Sequence, residues 1–280
     1  MKYIFYLIII ILFTKTSTAQ YYEPIELAKI IFKQDSFPDI NNYITGEYNG
    51  HPNGTDVPKH IKKSFLLLGQ DEETAVVNIR FSDGKNPDYD TYLHFKNDSV
   101  WKATAFRALA MTGIIAQVNT MLKELSPEQV DSILNIQYTD STQKKTMFAT
   151  REEYEFDLGN TNLTLASDNE IIAHFNKNKA EFERIKNKIL EQIKDSNIVD
   201  YKTTKVGKDL EKEYKKLYIN SISVGGYQFE NAINFLIGGI LDNAVGYLYV
   251  ADKKDLPKMS PHNIIMLREI GNGWYMYKTT

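Results

Sequence analysis

Between residues 74 and 105 polar and apolar side chains alternate in successive runs separated by turn residues. In Thr74–Ser82 the set Ala75, Val77, Ile79 and Phe81 is interleaved with Asn78, Arg80 and Ser82. In Tyr89–Lys96 the set Thr91, Leu93 and Phe95 is interleaved with Asp90, Tyr92, His94 and Lys96. A period of two sends successive side chains to opposite faces of a strand. One apolar and one polar face is what an antiparallel sheet covered on a single side requires. The apolar run Phe65–Leu68 precedes this stretch. Trp101, Ala103 and Ala105 extend it past Asn97-Asp98, so four strands are expected.

Helical signals flank these strands. PIELAKIIFK at 24–33 carries Pro24 at a first helical position. Residues 34–63 hold Pro38, Gly46, Gly50, Pro52, Asn53-Gly54 and Pro58 and read as a long loop. After the strands, Ala108, Met111, Ile115, Val118, Leu122 and Leu125 recur at spacings of three and four, which predicts a helix from about Phe106 to Leu125. Ser126-Pro127-Glu128-Gln129 is a capping box opening a second, short helix, and Ser167-Asp168-Asn169-Glu170 is another. Behind the latter, Ile171, Phe175, Phe182, Ile185, Ile189 and Ile193 predict one long helix. Residues 137–167 read as irregular with one or two short strands, and 205–216 as a short helix.

Strand patterns crowd the C-terminus at 217–224, 234–240, 244–250, 264–270 and 274–278, with Gly271-Asn272-Gly273 a strong tight-turn signal. HFKNDSVWKATAF and LREIGNGWYMYKT each contain a hairpin whose returning strand carries a lone Trp. Duplication explains this, and so does the good packing of Trp in strands. The expected fold class is α+β: two modules, each an antiparallel sheet with helices on one face. The division is a leader over 1–19, an N-terminal module over 20–160 and a C-terminal module over 161–280.

A helix followed by an alternating antiparallel meander, here over residues 22–106, resembles the cystatin-like and nuclear-transport-factor-2-like α+β folds. The ending LPKMSPHNIIMLREIGNGWYMYKTT is similar to the C-termini of secreted bacterial proteins of Bacteroidota type. Neither resemblance carries over a catalytic residue.

The leader shows where the protein works. Lys2 precedes the unbroken apolar run YIFYLIIIILF, Tyr3–Phe13, and Ser17-Thr18-Ala19 supplies a small-x-small box. These are the marks of a secretory signal peptide cleaved between Ala19 and Gln20. The run is well short of the roughly 20 residues that span a bilayer. No later segment is apolar enough to do so, and no membrane insertion is expected after cleavage. The predicted location is the periplasm or the extracellular space. The chain has no cysteine, which excludes disulfides, thiolate nucleophiles, zinc–thiolate sites and iron–sulfur clusters. The net charge of −3 includes no large basic excess in either half, so nucleic acid is not an expected partner.

Catalytic motifs are missing: there is no Gly-x-Ser-x-Gly, His-Glu-x-x-His, Walker loop or Gly-x-Gly-x-x-Gly. Ser-x-x-Lys at Ser82, Ser99 and Ser141 lacks the partner motifs of penicillin-recognising enzymes. The carboxylates of Asp83–Asp90 lack EF-hand spacing, and no two histidines stand at zinc spacing, so no metal or cofactor is expected. Two constellations remain. The polar sheet face groups Asn78, Arg80, Asp90, Tyr92, His94, Lys102 and Thr104. Covered by the first helix it would form a pocket, with His94 as general base, Asp90 or Tyr92 orienting it and Arg80 holding an anion. Left open, it is an ordinary solvated face of cross-strand charge pairs. The second constellation is Tyr247/Tyr249 and Tyr275/Tyr277. Each pair lies on one side of its strand, and if the faces coincide they form an aromatic platform for a protein, peptide or glycan. The alternative is that these rings pack under helices. The sequence therefore favours a monomeric or weakly associating, non-catalytic binding module. A small-pocket hydrolase-type enzyme at His94 is the competing reading, and an inhibitor or immunity-type protein a third.

Overall fold

The computed structural model describes residues 20–33, 37–48, 52–136, 147–195, 204–205, 208–226 and 228–280. The leader expected at 1–19 lies outside them. Two antiparallel sheets carry the architecture, which is α+β.

The first sheet is a meander in sequence order: β1 (Lys62–Gln70), β2 (Thr74–Ser82), β3 (Tyr89–Asp98) and β4 (Val100–Arg107). Its apolar face, with Ala75, Val77, Ile79, Leu93, Phe95, Trp101 and Ala103, packs against helix α1 (Pro24–Ile31) through Leu27, Ala28 and Ile31. The long loop after α1 is tied down by pairing with the free edge of β4. Ala103 N–H donates to Tyr43 O at 2.8 Å, and Thr45 N–H donates to Ala103 O at 2.9 Å. An exposed sheet edge is thereby covered.

The helix expected from Phe106 starts later, as α2 (Thr112–Glu124), because Phe106 and Arg107 continue β4 opposite Leu93 and Tyr92. The capping box at Ser126 opens α3 (Pro127–Leu134) as predicted. A fifteen-residue helix, α4 (Arg151–Leu165), stands where irregular structure was expected. Its second half, Gly159-Asn160-Thr161-Asn162, has poor helix propensity and hides it. Thr150 caps it, accepting from Glu153 N–H at 3.1 Å, and that Thr-x-x-Glu was the available signal. The expected boundary after residue 160 falls inside α4, and α4 packs on the second sheet. The long helix expected from 168 is two, α5 (Asp168–Lys177) and α6 (Lys179–Asp195). Asn178 interrupts it, its side-chain amide donating to His174 O at 2.9 Å.

After β5 (Thr204–Lys205) and α7 (Glu211–Lys215) come β6 (Ser221–Val224), β7 (Ala232–Ile240), β8 (Asn243–Val250), β9 (Ile264–Gly271) and β10 (Trp274–Thr279). Their spatial order is β5-β6-β7-β8-β10-β9. The β9–β10 turn runs through Gly271, Asn272 and Gly273, all at positive φ, the conformation their side chains allow. On one face Phe235, Tyr247, Trp274 and Met276 meet Ile171, Phe175, Phe182, Ile185 and Ile189 of α5 and α6. That core also takes in Val76 and Tyr92 from the first sheet, so apolar packing is continuous across the two modules.

Candidate functional site

The β2–β3 register pairs Arg80 with Asp90, Asn78 with Tyr92 and Val76 with His94. These residues therefore share one face, as the alternation requires. Helix α1 covers the opposite face of the sheet, so it roofs no pocket here. The polar face is not open to solvent either, since Asn78, Asp90, Tyr92 and His94 are all buried. It is the surface on which the second module docks.

The docking contact is a charged network. Arg80 Nε donates to Asp90 Oδ1 at 2.9 Å, and Asn78 Nδ2 donates to the same oxygen at 3.1 Å. Asp90 Oδ2 accepts the backbone N–H of Asp168, in the first turn of α5, at 2.8 Å. Asp168 Oδ1 accepts from Tyr92 OH at 2.8 Å and from Lys278 Nζ at 2.7 Å. The Asp168 side chain is fully buried and that of Lys278 nearly so. Burial first, and then the Asp168 and Asp90 carboxylates, push the Tyr92 phenol well above its ordinary value, so it donates as a neutral hydroxyl. A small void of about 50 Å³, lined by Asp90, Leu109, Ser167 and Lys278 among others, adjoins the network. Lys102 sits at the sheet's rim, paired with Asp98 at 3.3 Å, and Thr104 Oγ1 donates to His94 O.

His94 does not meet the requirements of a general base. It is 3 % exposed. Burial, reinforced by the Arg107 charge, lowers its imidazole to about 3. Its Nε2 has no hydrogen-bond partner among the described residues. A base must come within hydrogen-bond reach of its substrate, and here the second module intervenes.

The tyrosine platform also needs correction. Tyr247 lies opposite Met276 and Tyr249 opposite Trp274, whereas Tyr275 lies opposite Leu248 and Tyr277 opposite Gly246. In register, facing residues share a side, so the two pairs project to opposite faces of the sheet. Tyr247, Tyr275 and Tyr277 are buried, with Tyr247 OH donating to Ile171 O at 2.7 Å and Tyr277 OH to Asn234 Oδ1 at 2.7 Å. Tyr249 alone is part-exposed. It lines a 380 Å³ cleft with Leu190, Ile193, Val224 and Ile233, and Lys186 Nζ lies 4.6 Å from its ring centre.

The residues that sequence reasoning missed lie elsewhere. A cleft of about 570 Å³ opens between α2, α4 and α5, and Lys123, Asn162, Leu165, Glu170, His174 and Tyr218 line it. Tyr218 lies in the turn that follows α7, at φ 58°. Its N–H donates to Lys215 O and the next N–H, of Ile219, to Tyr214 O. This is a Schellman ending, whose left-handed position is usually glycine. Its ring lies on α4 at Gly159, where a Cβ would come within 2.1 Å of it. Asn160 Nδ2 donates to Tyr218 O at 2.8 Å. His174 Nε2 lies 3.1 Å from Leu217 O. A carbonyl only accepts, so this nitrogen carries the proton. Burial lowers the His174 imidazole, leaving it neutral with Nδ1 as an acceptor.

In the Asp83–Asp90 loop, Asp83 Oδ1 accepts the N–H groups of Lys85 and Asn86, which makes it a turn former. Among the described residues no three His, Asp or Glu side chains converge as metal ligands, and no helix is long and apolar enough to cross a membrane. No family model, no curated protein and no solved structure matches the chain.

Proposed function

We propose that the chain is an exported binding protein without a catalytic role, and that its ligand sits in the cleft beside Tyr218. The disposition of the ionisable groups carries this reading. Arg80, Asp90, Asp168 and Lys278 bond to one another at the module contact, and His94 is buried and neutral. The cleft is lined instead by the amides of Asn119 and Asn162, the Tyr218 ring, Lys123, His174 and Glu170, whose Oε2 accepts from Ser167 N–H at 2.8 Å to cap α5. A concave surface with a few fixed polar groups is what recognition needs, whereas acid–base catalysis needs a titratable group whose proton-transferring atom can reach the substrate. His174, the titratable group at the cleft with a lowered value, has Nε2 engaged with Leu217 O at 3.1 Å and its accepting Nδ1 against the Asn178 amide at 3.5 Å.

The apolar run Tyr3–Phe13 and the Ser17-Thr18-Ala19 box support export to the periplasm or beyond. Intact-mass analysis of the chain recovered outside the cytoplasm should show Gln20 as its first residue. Accumulation of full-length chain inside the cell would end the export reading. Asn162→Ala and Lys123→Ala should weaken ligand binding, and His94→Ala should leave it unchanged at neutral pH. Binding lost in His94→Ala and kept in both cleft variants would move the site to the first sheet.

A further inference from the structure

Two residues at the cleft go against their local preferences, and they do so together. Gly159 lies in the middle of α4, where glycine is about 1 kcal/mol worse than alanine. Tyr218 takes the left-handed position that glycine ordinarily fills, an uncommon conformation for a bulky side chain. Each choice explains the other: removing the Cβ at 159 lets the Tyr218 ring lie against the helix backbone. What the pair achieves is a fixed aromatic ring at the cleft wall, part-exposed and 5.8 Å from the His174 ring. Its hydroxyl makes no hydrogen bond among the described residues. Locally unfavourable choices that agree with one another mark functional positions.

The rest of the lining identifies the ligand class. Leu163, Leu165 and Ala166 add apolar surface, while Asn162, Glu170 and Lys123 stand at an exposed rim with both donors and acceptors. Lys123 and Glu170 balance in charge, so the cleft offers no cationic seat for a phosphate. Its walls are helices α2, α4 and α5 with Pro87, Ala166 and Tyr218 from the connecting segments, and none of them presents a free strand edge for an extended peptide to join. A ligand with an apolar C–H face and a rim of neutral hydroxyls fits this lining. We infer that the cleft between α2, α4 and α5 is a saccharide-binding site in which a sugar ring rests on Tyr218 and its hydroxyls bond to Asn162, Glu170 and Lys123. This inference rests on the binding reading above and adds its ligand class.

The test is calorimetric titration of the chain from Gln20 to Thr280 with cellohexaose, maltohexaose and the hexamer of N-acetylglucosamine, each followed by chromatography for shortened products. At least one should bind saturably without being cleaved. Tyr218→Gly should weaken that binding by about tenfold or more, and it should also lower the melting temperature, because the ring packs on the apolar core as well. A ring that serves only packing would lower the melting temperature and leave the binding unchanged, which overturns its role in the site. Asn162→Ala, at an exposed position, should weaken the same titration and decides the matter if Tyr218→Gly fails to fold. Absence of saturable binding to all three sugars overturns the saccharide assignment. So does binding that survives these substitutions. Binding accompanied by cleavage keeps the saccharide site and overturns the non-catalytic reading. A polyglutamate peptide that saturates the cleft where the sugars do not leaves the cleft a binding site but removes its saccharide assignment.

Discussion

Asp90 on β3 accepts, through Oδ2, the backbone N–H of Asp168 at 2.8 Å, across 78 residues of sequence. The same Asp90 holds Arg80 and Asn78 on its own sheet, and Asp168 in turn holds Lys278 on the last strand. One chain of hydrogen bonds thus runs from the middle of the first sheet, through the first turn of α5, to the C-terminal strand. A carboxylate at a helix N-terminus also meets the favourable end of the helix dipole.

Lys278→Met leaves the Asp168 carboxylate buried beside Asp90 without its cation. Breaking a buried pair by removing one partner costs about 3–5 kcal/mol. The denaturation midpoint should fall accordingly. Adding Asp168→Asn to Lys278→Met should recover part of the loss, since the uncompensated charge is gone. Equal losses in the single and the double variant would show that the ion pair is not what holds the site.

Acid should weaken the fold through His94. Its imidazole is held near 3 in the folded chain by burial and titrates near about 6.5 in an unfolded one. The unfolded state therefore binds the proton first. The contribution is complete above the unfolded value and is lost as pH falls from there toward about 3, with a slope of at most about 1.4 kcal/mol per pH unit. His174, lowered by burial, acts in the same direction. Urea titrations across this window should show a flatter slope in His94→Leu than in the parent. An unchanged slope would place a proton-accepting partner or water at His94.

Gly159→Ala should change sign with its background. Alone, the added methyl meets the Tyr218 ring, so the variant loses stability although alanine favours the helix. With Tyr218→Gly present the obstacle is absent, and Gly159→Ala should stabilise by about 1 kcal/mol. A double-mutant cycle of melting temperatures measures the coupling, and additive effects would separate the two residues.

Trp274→Ala should cost about 3–5 kcal/mol, the range for a buried aromatic. Its ring is fully buried among Phe175, Phe182, Phe235 and Tyr249, and its Nε1 donates to Glu183 at 2.9 Å. Tyr247→Phe should cost about 1 kcal/mol, the net worth of its lost bond to Ile171 O. An unchanged melting temperature in Tyr247→Phe would show that the bond to Ile171 O adds nothing net to stability.

Local pattern carried much of the architecture. The period-two runs of 74–82 and 89–96 became β2 and β3 in the register that alternation demands, and the capping boxes at Ser126 and Ser167 opened α3 and α5. Where propensity was weak the pattern misled. Gly159-Asn160-Thr161-Asn162 concealed half of α4, and Phe106-Arg107 belonged to a strand rather than a helix.

Alternation establishes that Arg80, Asp90, Tyr92 and His94 share a face, because side-chain direction follows from the backbone of the strand itself. What covers that face is a different kind of fact. Asp168 lies 78 residues from Asp90, and Lys278 lies 110 residues from Asp168. No periodicity links positions so far apart. The tyrosines divide in the same way: each pair shares a side by period, but the β8–β10 register sends the pairs to opposite sides. The pairing of Gly159 with Tyr218 likewise exists only once α7 and α4 are packed. The sequence by itself determined the strands, the helix caps and the faces of each element. The tertiary structure decided which faces meet and where a cleft is left, because burial and docking depend on contacts between segments that no local spacing connects.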